Sequence, residues 1–214
     1  MKDKEIVHII IAIATLAIIS GFRELIKSNL IAFSLILGAS AVVIAINLIS
    51  KKLAAARLDA DVAHELWTVE RYGWKPGYHL DKPIFAGIIV PLFVAVVTLG
   101  SIKFMTLLTY ETRALKRRAA NRFGPYSFTE MTDFHNALVG ASGIVGCLLV
   151  TFVTYWLPGS FWVILGRMAT FYAFFNLIPL SKLDGSQIFF GSRPWWAVLV
   201  VITLIFMMYA MLLV

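Results

Sequence analysis

The chain has 214 residues, 60% of them apolar and 14% charged, with a formal net charge of +7 and a single cysteine, Cys147. That composition leaves no room for a separate water-soluble domain, and one cysteine in an apolar run excludes a disulfide framework. The fold class it predicts is all-α integral membrane: a polytopic helical bundle of five to six hydrophobic segments forming one membrane domain over residues 1–214. The positive charge then serves orientation, anionic lipid or nucleic acid, and orientation is the ordinary use in a membrane protein.

In chain order, the run 6–22 lacks a small-x-small cleavage pattern and reads as a retained first span. The second span covers 30–50. Beyond it, Lys51 to Tyr72 contains neither Pro nor Gly and is rich in Ala, Leu, Arg and Glu, which predicts one long helix stopping at Gly73. Segment 84–102 carries Gly87, Pro91 and Gly100, and a basic loop, 103–133, follows it. In that loop Ser127-Phe128-Thr129-Glu130 predicts a capping box, and three further apolar segments occupy 135–157, 160–180 and 194–214.

If all six segments cross, the Lys and Arg residues divide almost evenly between the two sides, against the usual bias. If 84–102 instead enters and leaves on one side, sixteen of the nineteen basic residues share a face, and only Arg23, Lys27 and Arg167 fall outside it. Five crossings with 84–102 re-entrant is therefore the preferred arrangement, with a Pro-kinked sixth crossing as the alternative. The expected setting is the plasma membrane, multi-pass, with the basic loops cytoplasmic.

The strongest local motif is Phe175-Asn176-Leu177-Ile178-Pro179-Leu180-Ser181-Lys182-Leu183-Asp184-Gly185-Ser186 at the end of an apolar helix. Asn176, Pro179, Leu183, Asp184 and Gly185 resemble the C-terminal signature of the site-2 protease family of intramembrane zinc metalloproteases. The similarity is to its short, PDZ-less, archaeal-type members, and it covers about residues 45–190 with 6–22 and 194–214 as extra spans. It implies that Asp184 descends from a zinc ligand and that Gly140-Ala141-Ser142-Gly143 marks close helix packing. It also implies an upstream H-E-x-x-H, which is degenerate here. Counting back from Arg71-Tyr72-Gly73 places that motif on Asp61-Val62-Ala63-His64-Glu65, with Asp61 and Glu65 four apart. A second register, His64-Glu65-Leu66-Trp67-Thr68, restores Glu65 as a general base with His64 and Asp184 as ligands.

Asp61, His64, Glu65 and Asp184 are thus the candidate metal ligands, although residues such as Asp61 and Glu65 usually form a solvated face of paired charges. Neither register supplies the full zinc set, so zinc is expected only if the ancestral site is retained; an all-carboxylate set suits harder cations. For Asp184 the structural alternative is a turn paired with Lys182 or Arg193. His135 reads as a helix cap, and Arg167 as a residue that snorkels to the nearer interface.

The function these features imply is a proteolytically inactive relative that binds membrane proteins as a scaffold, adaptor or chaperone, with an active metalloprotease of atypical site as the alternative. Arg113, Lys116, Arg117, Arg118 and Arg122 form a basic surface suited to anionic lipid or to ribosomal RNA at a translocon.

Overall fold

The computed structural model describes residues 2–71, 79–115 and 131–212. Among these, eight helices and four short strands follow in the order α1 (Lys2–Ser20), α2 (Phe22–Ile26), α3 (Leu30–Arg57), β1 (Ala60–Leu66), β2 (Val69–Arg71), β3 (His79–Ile84), α4 (Ala86–Val97), β4 (Leu108–Ala114), α5 (Asp133–Thr154), α6 (Ser160–Asn176), α7 (Asp184–Gly191) and α8 (Arg193–Leu212). Three of them, α3, α5 and α8, are long and apolar enough to cross a membrane. Apolar side chains also cover much of the outside, among them Ile31, Phe93, Leu149, Trp156 and Leu212. A surface of that kind suits hydrocarbon as solvent.

Helix α3 is the central element and packs against α1, α5 and α6. Its interface with α5 is close because α5 presents small residues there. A Cβ on Gly143 would come within 2.7 Å of both Asn47 Nδ2 and Lys51 Cε, so any larger residue would force these polar side chains aside. The Gly140–Gly143 stretch therefore lies within α5, with Gly143 at the seam with α3 and Gly140 against the Tyr110 side chain.

The long helix expected to run to Gly73 ends at Arg57 instead, followed by Leu58 and by Asp59 at φ 53°. Residues 60–66 form a strand that pairs antiparallel with β4, setting His64 opposite Tyr110. The physical reason is visible in the residues. Ala60, Val62, His64 and Leu66 are buried while Asp61 and Glu65 are exposed, an alternation of period two. Burying that face against the membrane helices outweighs the helix propensity of Ala, Leu and Glu. A second pair, β2 with β3, lies beside it, so the fold carries strands that an all-α expectation omitted.

Segment 84–107 doubles back. Gly87 N–H donates to the Trp67 carbonyl and Trp67 N–H to the Leu107 carbonyl, both at 2.9 Å, so the two ends of the segment meet at one residue. Between them α4 runs for 12 residues, with Pro91 inside it, to a turn at Leu99 and Gly100, which have φ of 50° and 70°. Gly100 packs on Phe22, near the far end of α1, and the chain then returns without helix through 103–107. The returning backbone is covered by protein. Asn176 Nδ2 donates to the Met105 carbonyl over a long 3.5 Å, and the Thr106 hydroxyl donates to the Phe175 carbonyl at 3.3 Å. Lys103, which the charge count placed with the basic loops, lines a cavity with Ser101 and Arg167, and Arg23 bonds the same Ser101.

Candidate functional site

Helix α3 is apolar for most of its length, yet it buries Asn47 and Lys51, four residues apart and so on one face. Both side chains meet Gly143 of α5. From the other side comes Asp184, in the first turn of α7, where the helix dipole favours a negative charge. Lys51 Nζ lies 2.6 Å from Asp184 Oδ2, and each side chain is only 1% exposed. The ion partner of Asp184 is therefore Lys51, not Lys182 or Arg193. Burial pushes the Asp184 carboxyl above its ordinary value, while the Lys51 ammonium pulls it back down.

The motif residues around Asp184 have plain structural tasks. A Cβ on Gly185 would sit 2.2 Å from the Leu177 carbonyl oxygen, so only glycine lets the chain fold back onto the end of α6. Leu183 is fully buried, and Asn176 donates to the Tyr172 carbonyl at 2.8 Å as well as to Met105. Pro179 follows the end of α6, where a helix has to stop.

Strand β4 closes the site from below. The Tyr110 ring lies 4.6 Å from Lys51 Nζ, a cation–π contact in a buried setting. Its hydroxyl donates to the Asn136 carbonyl at 2.8 Å, while Gln187 Nε2 donates to the Tyr110 carbonyl at 3.1 Å. Asn136 Nδ2 donates to Gln187 Oε1 at 2.7 Å and Thr112 Oγ1 to Asn136 Oδ1 at 2.9 Å, locking β4, α5 and α7 together. Beside this network lies a cavity of about 500 Å³, lined by Glu65, Thr109, Glu111, Thr112, Asn136 and Gln187 among others.

The candidate ligands of the sequence part company here. Asp61 and Glu65 are exposed on the outer face of β1, and Asp61 Oδ1 accepts from the neighbouring Val62 N–H. His64 points inward and is fully buried. Its Nδ1 lies 3.2 Å from Glu5 Oε1 of α1, which Lys52 Nζ approaches at 3.1 Å. Burial, and then the Lys51 charge, hold the His64 ring down at about pKa 3 against the opposing pull of Glu5. It is therefore a neutral imidazole that donates Nδ1–H to Glu5, with Nε2 buried and without a hydrogen-bond partner among the described residues. Among the described residues no group of three or more His, Cys, Asp and Glu is placed to hold a metal. The donor set around Asp184 does not fit zinc either, since an ammonium cannot ligate and Asn47 offers a single amide oxygen.

The two members of the central site that sequence reasoning passed over are Asn47 and Lys51. The signal for them was an amide and an ammonium at i and i+4 in a helix that is otherwise nearly all hydrocarbon. The cap of α5 is Thr132 and not His135: the Thr132 hydroxyl accepts from His135 N–H at 3.3 Å. Cys147 is buried in the core. Arg113 is exposed at the end of β4, 3.9 Å from Glu111, whereas Lys116, Arg117, Arg118, Arg122 and the capping-box stretch 127–130 lie outside the described residues. No protein-family model matches the chain, and no curated protein or solved structure matches it.

Proposed function

We propose that the chain is a non-proteolytic relative of the site-2 proteases, which keeps the membrane scaffold and binds a segment of another membrane protein without cutting it. The observation that carries this is the Lys51–Asp184 pair at 2.6 Å, buried to 1% on both sides. Asp184 is the residue that the motif resemblance ties to a metal, and here its charge is met by an ammonium from the facing helix. The residues four apart on a helix beside Asp184 are not Asp61 and Glu65, where the motif count placed them, but Asn47 and Lys51 of α3; a register with the two histidines there sets Leu48 where the glutamate would stand. An aliphatic Leu48 removes the general base, a loss of roughly 10²–10⁴ in rate.

A binding role finds support in β4. Among the described residues it pairs on one edge only, with β1, and residues 109–112 border the cavity of about 500 Å³. An edge that carries no second strand among the described residues, and whose Tyr110 carbonyl is met by the Gln187 side chain, suits an extended segment that adds as a strand at the groove. The arrangement this reading implies is a multi-pass protein of the plasma membrane with 84–102 re-entrant. The cytoplasmic basic face then runs from Arg113 into the cluster at 116–122, where it would meet anionic headgroups or a ribosome at a translocon.

Metal content tests the reading. Wild-type protein purified without chelator is expected to hold far less than one zinc per chain, and Asp184→Ala to change nothing. The double variant Asn47→His/Lys51→His should gain zinc that the further change Asp184→Ala removes. Stoichiometric metal in the wild type, lost in Asp184→Ala, would overturn the proposal in favour of an active metalloprotease.

A further inference from the structure

Which main-chain groups of β4 lie on its edge away from β1 follows from the bonds at the two ends of the pair. Trp67 N–H donates to the Leu107 carbonyl and Leu115 N–H to the Asp59 carbonyl, and the register between them runs without a bulge. Odd-numbered residues of β4 therefore turn their N–H and C=O toward β1, while Leu108, Tyr110 and Thr112 turn theirs to the other side. The Tyr110 carbonyl agrees with this, since it accepts from Gln187 Nε2 at 3.1 Å and not from β1.

Gln187 belongs to α7, on the opposite wall of the groove. The cavity of about 500 Å³ has Thr109, Glu111 and Thr112 along one side and Asn136, Ser181 and Ser186 along the other. The Gln187 side chain crosses this space as a bar. A primary amide carries the same N–H and C=O as a peptide unit, and here both are used as a peptide would use them. Nε2 donates to the Tyr110 carbonyl, the bond an added strand would make, and Oε1 accepts from Asn136 Nδ2 at 2.7 Å. Nε2 also has a second acceptor, the Lys182 carbonyl at 3.2 Å, so it keeps a partner when the bond to β4 is given up. Exchanging one such bond for another leaves a small net difference, which is what a displaceable contact requires.

Resting on the reading that this groove takes an extended segment, we propose that Gln187 is an internal stand-in for that segment. Its amide occupies the Tyr110 position of the edge, and it falls back on the Lys182 carbonyl when a peptide main chain pairs with Tyr110 and Thr112. The occupant is recognised by its backbone, because what the edge offers is alternate N–H and C=O groups and what already sits there is an amide. The contact is autoinhibitory: a segment that meets Gln187 in place has to displace it before the Tyr110 carbonyl is available.

The test uses the full chain in neutral detergent with Glu111→Cys, an exposed position of β4 at the groove, the native Cys147 being buried. A capped hexapeptide of alternating threonine and valine with a terminal thiol is joined to the new cysteine as a mixed disulfide, and the reductant concentration that releases half of it is measured. The tether supplies an effective concentration of roughly millimolar order, which a weak strand addition needs. With Gln187 in place the peptide should resist reductant about three- to tenfold better than the same peptide with every second backbone nitrogen methylated. Gln187→Ala and Gln187→Glu should each raise that ratio about three- to tenfold further. Glutamate keeps the size of glutamine and still accepts from Asn136, but at neutral pH it cannot donate to Tyr110; it also carries the test if Gln187→Ala does not fold. A ratio of one in all three proteins overturns strand addition and the stand-in together. A ratio above one that neither variant raises leaves strand addition in place and overturns the stand-in alone. A rise in Gln187→Ala without one in Gln187→Glu also overturns it, since space and not a hydrogen bond would then be the obstacle.

Discussion

The two ends of this bundle treat buried charge in opposite ways. At the Lys51–Asp184 end one cation meets one carboxylate at contact distance, under a seam so tight that Gly143 has no room for a Cβ. At the other end Lys103 and Arg167 line an open cavity with Phe171, Phe174 and Met207. The first arrangement sets charge against charge at contact distance, with Asp184 Oδ1 left without a hydrogen-bond partner among the described residues. The second sets two cations beside open space lined mostly by hydrocarbon and aromatic side chains. Burial of polar groups alone does not distinguish the two. The room around the charge does.

The largest way to break this contrast is to remove one partner of the closed pair. Lys51→Ala or Asp184→Ala should cost about 3–5 kcal/mol, since each strands a charge in the core, whereas Lys51→Met/Asp184→Leu together should cost much less. Reversible unfolding in detergent measures both, and equal losses in single and double variants would show that the pair is not coupled. Next, Gly143→Ala should cost about 1–3 kcal/mol by driving a methyl into Asn47 and Lys51, while Met207→Ala at the open end should cost about 1 kcal/mol or less. If the two changes cost the same, the packing difference between the ends is not real.

His64 sharpens the comparison through pH. Its folded pKa of about 3 lies below its ordinary value of 6.5, so below 6.5 the unfolded chain takes up a proton that the folded chain refuses. Its contribution is therefore complete above about pH 6.5 and is lost as pH falls toward 3, with a slope of at most about 1.4 kcal/mol per pH unit. Melting temperatures between pH 8 and pH 4 should show this, and His64→Gln should flatten that part of the curve. An unchanged slope in the variant would assign the acid sensitivity to other groups. The smallest effect belongs to the exposed Arg113–Glu111 contact at 3.9 Å, where Arg113→Gln should shift stability by no more than about 0.5 kcal/mol.

Much of the fold was legible because it is written in local patterns. Apolar runs located α3, α5 and α8, and Gly87, Pro91 and Gly100 marked the segment whose two ends meet at Trp67. Asp184 stood out as an acid at the end of an apolar helix, and it does lie at the centre of the buried site. The strand over 60–66 was misread because Asp61 and Glu65, four apart, share a face in a strand as well as in a helix. The period-two burial of Val62, His64 and Leu66 was the signal that separates them. In the sequence Lys51 stands at the flank of a span, the usual place for a lysine beside hydrocarbon, and nothing local marks it as buried.

What the sequence by itself determined was the solvent-facing character of the chain and the identity of its costly residues, since a run of hydrocarbon and an acid within it carry the same energetic meaning in any packing. What only tertiary structure decided was which cation answers which acid. Lys51 reaches Asp184, and Lys103 reaches the neighbourhood of Arg167, because α3 crosses α5 at a glycine and because the chain turns back at Gly100. Charge pairing depends on distances of a few ångströms between residues far apart in sequence, and those distances exist only once the helices have packed.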